Sequence, residues 1–570
     1  MKSPETFFKR KFFLYPAFLF LFVLLDFLAY YNVLQTFFLA DDFELIKGVR
    51  DGGPFSTWRA GAVQGFFRPL VTLSIFMDYR LWGLNPTGYH TTNLIFHALN
   101  SLLVFFISLS LLSRINFPPI NRWSLALLSG IIFLWLPCHT ESVTWISGRT
   151  DLIATLFCLS SFWVYLFFKK KGKGSLLSLS MLFFFLALLS KESVITFPLL
   201  ILCFEGYEWY SLRVFKGRLF RSLWVFVFFL LVFILYMAVK YWASGTTTLG
   251  YGNWAHFNIN PIKVLKDYLI FLTRPFIPPI PVDFQTFIYL KSLVTFKAPM
   301  LIGMVMGIFS LVLLMLLIPR FSQRLRRIRS HREMFGLILF LFFASVILFI
   351  PALSVGLSIR DTANERLIYF PSAYYSILLT MVLLQLVSKR FYRVWMFLGL
   401  FLFFIFSLQR FNGNWRVAAE ISRNSVQDLL KYEGERGKVY LICVPGEMKG
   451  AVIHSNIQDA VDLFGTFKPP KLIMISWLYM CRPEDGINVT KELNSYNINT
   501  TNSKGYFFSF VYPLNQGPVT DRFFDLVPRQ PDSYNLRLKE VRDGDRLMSL
   551  SQGRLICLER FKSPGRTGYE

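Results

Sequence analysis

Acidic side chains are scarce in this sequence, and so are cysteines. The 570 residues hold 35 Asp and Glu against 60 Lys and Arg, for a formal net charge of +25. Only six Cys occur, without a CxxC pair or any metal-ligand spacing, which argues against a cysteine metal centre. Cys443, Cys481 and Cys557 in the last third can supply one bridge at most, so a disulfide framework is excluded too. No tetratricopeptide-like period is visible. The first apolar run, after "FFKRKFF", is too long for a signal-peptide core and has no small-residue cleavage site behind it; it reads as a retained span.

Charged residues make up 17% of the chain while 54% is hydrophobic and 18% aromatic, with 64 Phe. That balance excludes an ordinary soluble protein of this size, and several runs approach the ~20 apolar residues that cross hydrocarbon. The positive charge sits in clusters between those runs, such as "KKKGK" (169–173) and "RFSQRLRRIR" (320–329). Such placement orients a membrane protein and speaks against a nucleic-acid partner.

About eleven spans are expected from run length, near 12–36, 93–112, 122–137, 150–168, 175–189, 193–206, 221–243, 299–318, 334–353, 367–387 and 391–409. With the N-terminus in the cytoplasm, the inner loops carry Arg114 and Arg122, Lys169 to Lys173, Arg213 to Arg221, the 320–332 arginines, and Lys389, Arg390 and Arg393. The short outer loops carry only Arg149, Lys191, Arg360 and Arg366, the positive-inside asymmetry. The outer loops 37–92 and 244–298 are long, which favours function. Their apolar stretches predict short helices in the membrane interface. Glu205 and Glu208 fall on the inner side and read as solvated; Asp26, within the first span, reads as paired to a neighbouring helix.

The expected fold class is therefore a polytopic α-helical membrane protein with a small C-terminal soluble α/β or α+β domain. The membrane domain is placed at 1–411 and the soluble domain, outside the cytoplasm, at 412–570. In the latter, short apolar runs such as "KVYLICV" (438–444), "KLIMISW" (471–477) and "RLICLER" (554–560) are divided by turn signals. "SNIQDAVDLFG" (455–465) predicts an amphipathic helix stopped at Gly465.

Charges within or beside spans are expensive, so each is a functional candidate. They gather on one predicted side: Asp41, Asp42 and Glu44 in "FFLADDFELIKG" (37–48), "CHTESVTWISGRTD" (138–151), "SKES" (190–193) and "SIRDTANERLIYFPS" (358–372). A carboxylate beside an acceptor hydroxyl can take its proton. Two carboxylates and a His can hold a divalent metal. Lys and Arg at a membrane lip suit a phosphate leaving group. A polyprenyl-phosphate sugar, apolar tail among the helices and head in the pocket, fits all three.

The ordered set "ADD", "RPL", "GYHTTNLIFHALNSLLVF", "HTESVTWISGRTDLIATLF", "LLSKESVITFPLLIL" and "ERLIYFPS" resembles the GT-C superfamily of membrane glycosyltransferases. It is most like the transmembrane half of the transmembrane-and-tetratricopeptide-repeat O-mannosyltransferases and their bacterial relatives, over roughly residues 10–410. The resemblance implies a hexosyltransferase with an outer active site and a lipid-linked donor. It implies Asp41 or Asp42 as general base, and His139 and Glu141 as support for the acceptor or a metal. Lys191 and Arg366 would meet the donor phosphate, with Glu365 in the same late motif. Arg149 and Asp151 match the pattern without a role. A divalent cation, Mg or Mn, would fall to Asp42, His139 and Glu141. The acceptor is a protein Ser/Thr, a glycolipid or a polysaccharide.

The tail departs from the animal relatives, which carry repeats there. That favours a bacterial inner-membrane protein with site and tail in the periplasm. The sequons "NVT" (488–490) and "NTT" (499–501) serve only in a eukaryotic secretory compartment. Two other classes stand beside this reading. A lipid or polysaccharide transporter or flippase predicts charges deep in several helices and duplicated halves. A membrane-anchored binding protein predicts dispensable loop acids.

Overall fold

A computed structural model describes residues 4–56, 66–115, 119–212, 218–247, 261–279, 331–387, 389–502, 505–508, 517–530 and 532–561. Among these, 7 helices are long and apolar enough to cross a membrane: Pro16–Val33, Pro86–Leu112, Ile146–Lys171, Leu223–Ser244, Arg332–Ser354, Glu365–Leu386 and Arg390–Leu430. The pair Arg122–Trp135 and Pro137–Thr144, bent by 53°, raises the number to 8. The expected spans at 175–189 and 193–206 correspond to helices Gly174–Leu188 and Phe197–Leu212, of 15 and 16 residues. Both are short of a full crossing, and the polar "SKES" turn separates them. The expected span 299–318 and the basic run 320–329 lie outside the described residues.

A large apolar cluster joins many of the helices, with smaller ones beside it. Phe162, Phe204, Phe340 and Tyr374 from four helices meet edge-to-face or stacked at centroid distances of 5.4 to 6.2 Å, a favoured arrangement for aromatic pairs. Leu231, Ile234 and Leu235 on helix Arg218–Ser244 face outward, as a lipid-facing stripe must. Contrary to expectation, Glu205 and Glu208 are not simply solvated. Glu205 is buried with Lys169 Nζ 2.6 Å away and also meets Tyr165, while Glu208 pairs with Arg114. Carboxylates partly sheltered by packed helices hold cations rather than water there. Asp26 lies buried, its nearest cationic candidate His97 Nε2 at 3.9 Å.

The first outer loop folds into the helices Asp41–Gly52 and Pro69–Trp82. The acidic trio opens the first of these, where a helix N-terminus favours negative charge. In the other long outer loop, only helix Pro261–Thr273 and the turn after it fall within the described residues.

Helix Arg390–Leu430 is 41 residues long, about 60 Å at 1.5 Å per residue and roughly twice a hydrocarbon core. It runs unbroken past residue 411. Beyond the apolar part its buried positions, Leu408, Phe411, Trp415, Ala418, Ser422, Ser425 and Leu429, fall three or four apart, the period of one helix face. That face packs on the C-terminal sheets.

These sheets are three. One has the order 554–560, 546–551, 438–441, 471–474, with the central strand Lys438–Leu441 parallel to both its neighbours. A second, 451–452, 444–448, 477–480, 506–508, also contains a parallel pair. The third, 487–491, 496–500, 533–538, 524–530, 519–520, is antiparallel throughout. The predicted helix is Ile457–Phe464, and the Gly465 N–H closes it on the Val461 carbonyl. The sheet core is not self-contained: Leu39, Ala40, Trp145 and Trp415 belong to it alongside Tyr440, Leu478 and Leu547.

Candidate active site

Asp41 and Asp42, adjacent in the chain, face different surroundings. Asp42 is 1% exposed. Its Oδ2 accepts from the Leu39 N–H at 2.9 Å, and its Oδ1 accepts from the Ser147 N–H at 2.9 Å and the Ser147 hydroxyl at 2.5 Å. Burial pushes its carboxyl up to about 7 against these hydrogen bonds, which favour the charged form. Asp42 thus ties the first outer loop to the "HTESVTWISGRTD" loop. Asp41 is half-buried and accepts from the Ser455 hydroxyl at 3.0 Å. It opens on a cleft of about 490 Å³ lined also by Glu44, Lys47, Asp51, Asn456 and Asp459. The cleft lies between the first outer loop and the sheet domain. Lys47 bridges the two, reaching Asp459 and Asp462 at 2.8 Å each.

The loop 138–151 winds through a 3-10 turn, a short helix and a second 3-10 turn before helix Arg149–Lys171. Gly148 permits it: a Cβ there would stand 2.5 Å from the carbonyl oxygens of Glu141 and Ser142. His139 is buried, its Nε2 2.8 Å from the Ser372 hydroxyl, and meets the rings of His97, Phe133 and Tyr369 edge-on or tilted. Glu141 accepts from the Arg366 N–H at 2.8 Å and faces the Arg366 guanidinium at 3.6 Å. Arg366 also lies over the Trp145 ring at 5.0 Å.

Below these groups runs a shelf of buried ion pairs. Lys191 grips Asp151 through both carboxylate oxygens, at 2.6 and 2.5 Å. Arg149 meets Asp78 at 2.6 Å and donates to Asn93, Tyr89 and Ser74. Arg68 forks onto Glu192 at 3.1 and 3.0 Å. Glu365 faces Arg274 at 3.0 Å.

The expected residues therefore divide. Glu141 and Arg366 come together, as do Asp151 and Lys191. Arg149 has its donors taken up by the scaffold. The suggested metal set of Asp42, His139 and Glu141 is not assembled: the first is bound to Ser147, the second to Ser372, the third to Arg366. Among the described residues, no group of three or more His, Cys, Asp and Glu is placed to hold a metal ion. The donor set does not fit the divalent cation that the resemblance implies. Sequence reasoning missed Arg68, Asp78, Asn93, Ser147, Glu192 and Arg274 as partners. Arg68 lies in the quoted "RPL" and Glu192 beside Lys191, but their pairing depends on the fold.

Apolar helices ending in a charged shelf beneath mixed sheets define a polytopic membrane protein with a polar site at one lip of the helices. Its sequence narrows the class: the chain is a distant homologue of the protein O-mannosyl-transferases. It is 32% identical over 194 residues to Tmtc1 of Drosophila melanogaster, covering 31% of this chain and 21% of that protein. It is 33% identical over 150 residues to TMTC2 of Mus musculus, covering 24% and 17%. It is 24% identical over 324 residues to F38B6.6 of Caenorhabditis elegans, covering 56% and 42%. The chain thus spans less than half the length of each of these relatives. No protein-family model matches it. Among solved structures it is similar to ArnT from Cupriavidus metallidurans bound to undecaprenyl phosphate (TM-score 0.42, 14% identity, 79% of this chain and 85% of that one). It is also similar to the archaeal oligosaccharyltransferase AglB from Archaeoglobus fulgidus, in complex with an inhibitory peptide and a dolichol-phosphate (TM-score 0.39, 12% identity, 76% and 62%).

Proposed function

We propose that this chain is an integral-membrane glycosyltransferase that moves a hexose, mannose by analogy with its relatives, from a polyprenyl phosphate to an acceptor hydroxyl outside the cytoplasm. The observation that carries this is the similarity to several protein O-mannosyl-transferases, joined to a half-buried carboxylate that opens on a cleft at the helix lip. Asp41 is the base: it takes the acceptor proton as the hydroxyl oxygen bonds to the anomeric carbon, and the sugar–phosphate bond breaks with its electrons leaving on the lipid phosphate. Asp42, with both oxygens engaged, holds the loop that presents Asp41. Arg366, part-exposed beside Glu141, is the cation best placed to stabilise the phosphate; Lys191 supports it if Asp151 yields one of its oxygens. Asp42, His139 and Glu141 have other partners, so no step is assigned to a metal at these residues; adding chelator to the transfer assay tests this. The membrane domain at 1–411, the sheet domain at 412–570 and a periplasmic site belong to the same reading.

The test uses membranes carrying the chain and radiolabelled undecaprenyl-phosphate mannose. Label should move to acceptor or water with wild-type chain and not with Asp41→Asn. Transfer that survives this substitution at the wild-type rate refutes Asp41 as the base.

A further inference from the structure

The sheet domain grasps the loop that ends in Arg366. Arg360 of that loop lies against two tyrosines of the sheet domain, its guanidinium carbon 4.5 Å from the Tyr479 ring centre and 4.9 Å from that of Tyr506. The two rings stack on each other at 4.8 Å. Arg360 also donates to the Tyr506 hydroxyl at 2.5 Å, while the Tyr479 hydroxyl donates to Asp361 at 3.2 Å. Thr362 donates to the Lys449 carbonyl at 3.2 Å. Beside it Gly450, at φ +92°, is approached so closely that a Cβ would stand 2.4 Å from the Thr362 hydroxyl and 2.6 Å from its amide nitrogen. Cation–π contacts, three hydrogen bonds and a close backbone approach thus fall on three consecutive residues.

The loop's other anchors lie at its two ends and in its own turns: Arg274 donates to the Ser358 carbonyl, the Leu357 N–H to Asp267 at 3.4 Å, and Asn364 to the Gly356 carbonyl at 3.3 Å. Its backbone turns at Gly356 and Asn364, both at positive φ, and between them only short turns occur. At its far end Glu365 is anchored to Arg274 and Arg366 to Glu141. The same domain holds the loop of the other partner in the chemistry, through the Ala40 N–H to the Ile453 carbonyl at 2.9 Å and Ser455 to Asp41 at 3.0 Å.

We propose that the sheet domain is a positioning element of the active site, and that the Tyr479–Arg360–Tyr506 clamp sets where Arg366 meets the donor phosphate. This rests on the glycosyltransferase reading above. A guanidinium within reach of two aromatic rings gains a charge attraction that a lone hydrogen bond lacks, so the clamp resists loosening of a loop that must stay in register with Asp41. Arg360 and the two tyrosines do not touch the reacting atoms; they act through Arg366.

The experiment uses the full chain in detergent or nanodiscs with Tyr506→Ala, Tyr506→Phe, Arg360→Ala and the double variant Arg360→Ala/Tyr506→Ala. With undecaprenyl-phosphate mannose as the probe, both single alanine variants should raise the donor KM by about 3- to 30-fold, with a smaller change in kcat. Tyr506→Phe, which keeps the ring, should stay near wild type. The double variant should be no worse than the worse single one, since both remove one clamp. Hydrogen exchange read by mass spectrometry over 358–368 supplies a measure that needs no turnover. It should quicken in Tyr506→Ala while the membrane helices keep their protection. Unchanged exchange overturns the clamp. So does an unchanged donor KM in an active enzyme. Quickened exchange in a chain without any sugar transfer keeps the clamp as a structural contact, refutes the glycosyltransferase reading, and with it overturns the role in donor placement.

Discussion

The charged shelf and the cleft beside it differ in how completely their charges are matched. In the shelf, Lys191, Arg149, Arg68 and Arg274 each face a carboxylate, and those carboxylates are buried. In the cleft, Asp41, Glu44, Asp51 and Asp459 share a wall with Lys47 and open to water. Buried pairs gain little net stability but are costly to break singly, so the shelf fixes geometry. A half-open acid keeps access to ligand and solvent, so the cleft can exchange protons. Paired acids in a sequence look alike; the water around them separates a scaffold from a reagent.

Substitutions should make this contrast measurable. The largest effect belongs to the cleft: Asp41→Asn is expected to lower transfer by about 10²- to 10⁴-fold with melting unchanged, read as initial rate beside a thermal scan. Next, Lys191→Met leaves Asp151 buried and unpaired and should cost about 3–5 kcal/mol of stability. Adding Asp151→Asn should restore most of the melting temperature without restoring transfer. If Lys191→Met melts like wild type, the shelf is not the scaffold described here. Asp42→Asn comes third, at about 1–3 kcal/mol, because an amide nitrogen would face either the Leu39 or the Ser147 N–H.

A pH series sharpens the same point. Burial raises Asp42 from 3.8 to about 7. A carboxyl raised on folding binds its proton more tightly in the native state, so its stabilising effect is full below the unfolded value and fades as pH climbs through about 7. Melting temperature should therefore fall as pH rises from about 4 to about 7, and this contribution should level off above that. Glu447, raised by burial to about 8, adds in the same direction, so Asp42→Asn should flatten the slope only in part. The smallest effect is at the rim: Lys47→Ala, which loses two part-exposed pairs with Asp459 and Asp462, should cost about 1 kcal/mol or less, measured in low salt.

Much of the helical layer was legible because crossing a membrane imposes a length and a hydropathy on each run. The runs expected near 93–112, 150–168 and 367–387 fall on helices Pro86–Leu112, Arg149–Lys171 and Tyr369–Leu386. The tail's Gly465-capped helix and its strands at 438–441, 471–474 and 554–560 followed from turn residues and period, while those at 487–491, 496–500 and 546–551 did not stand out as apolar runs. The outer site was legible as a set of loops but not as a set of pairs. Nothing linear joins Arg68 to Glu192, Arg274 to Glu365 or Asp42 to Ser147, since each depends on which loop folds over which. The metal set failed for the same reason: composition brought Asp42, His139 and Glu141 into one list, while packing gave each a different neighbour. The continuation of helix Arg390–Leu430 past the apolar run was hidden because its lower half is amphipathic and its partner is a sheet.

That Leu39, Ala40 and Trp145 share a core with strands near the end of the chain bears on biogenesis. The loop that carries Leu39 and Ala40 emerges early in synthesis, yet the strands that shield it are translated much later. Until then its apolar residues lie open to chaperones and proteases, and a chain cut short inside the sheets would present the same uncovered patch to cellular surveillance.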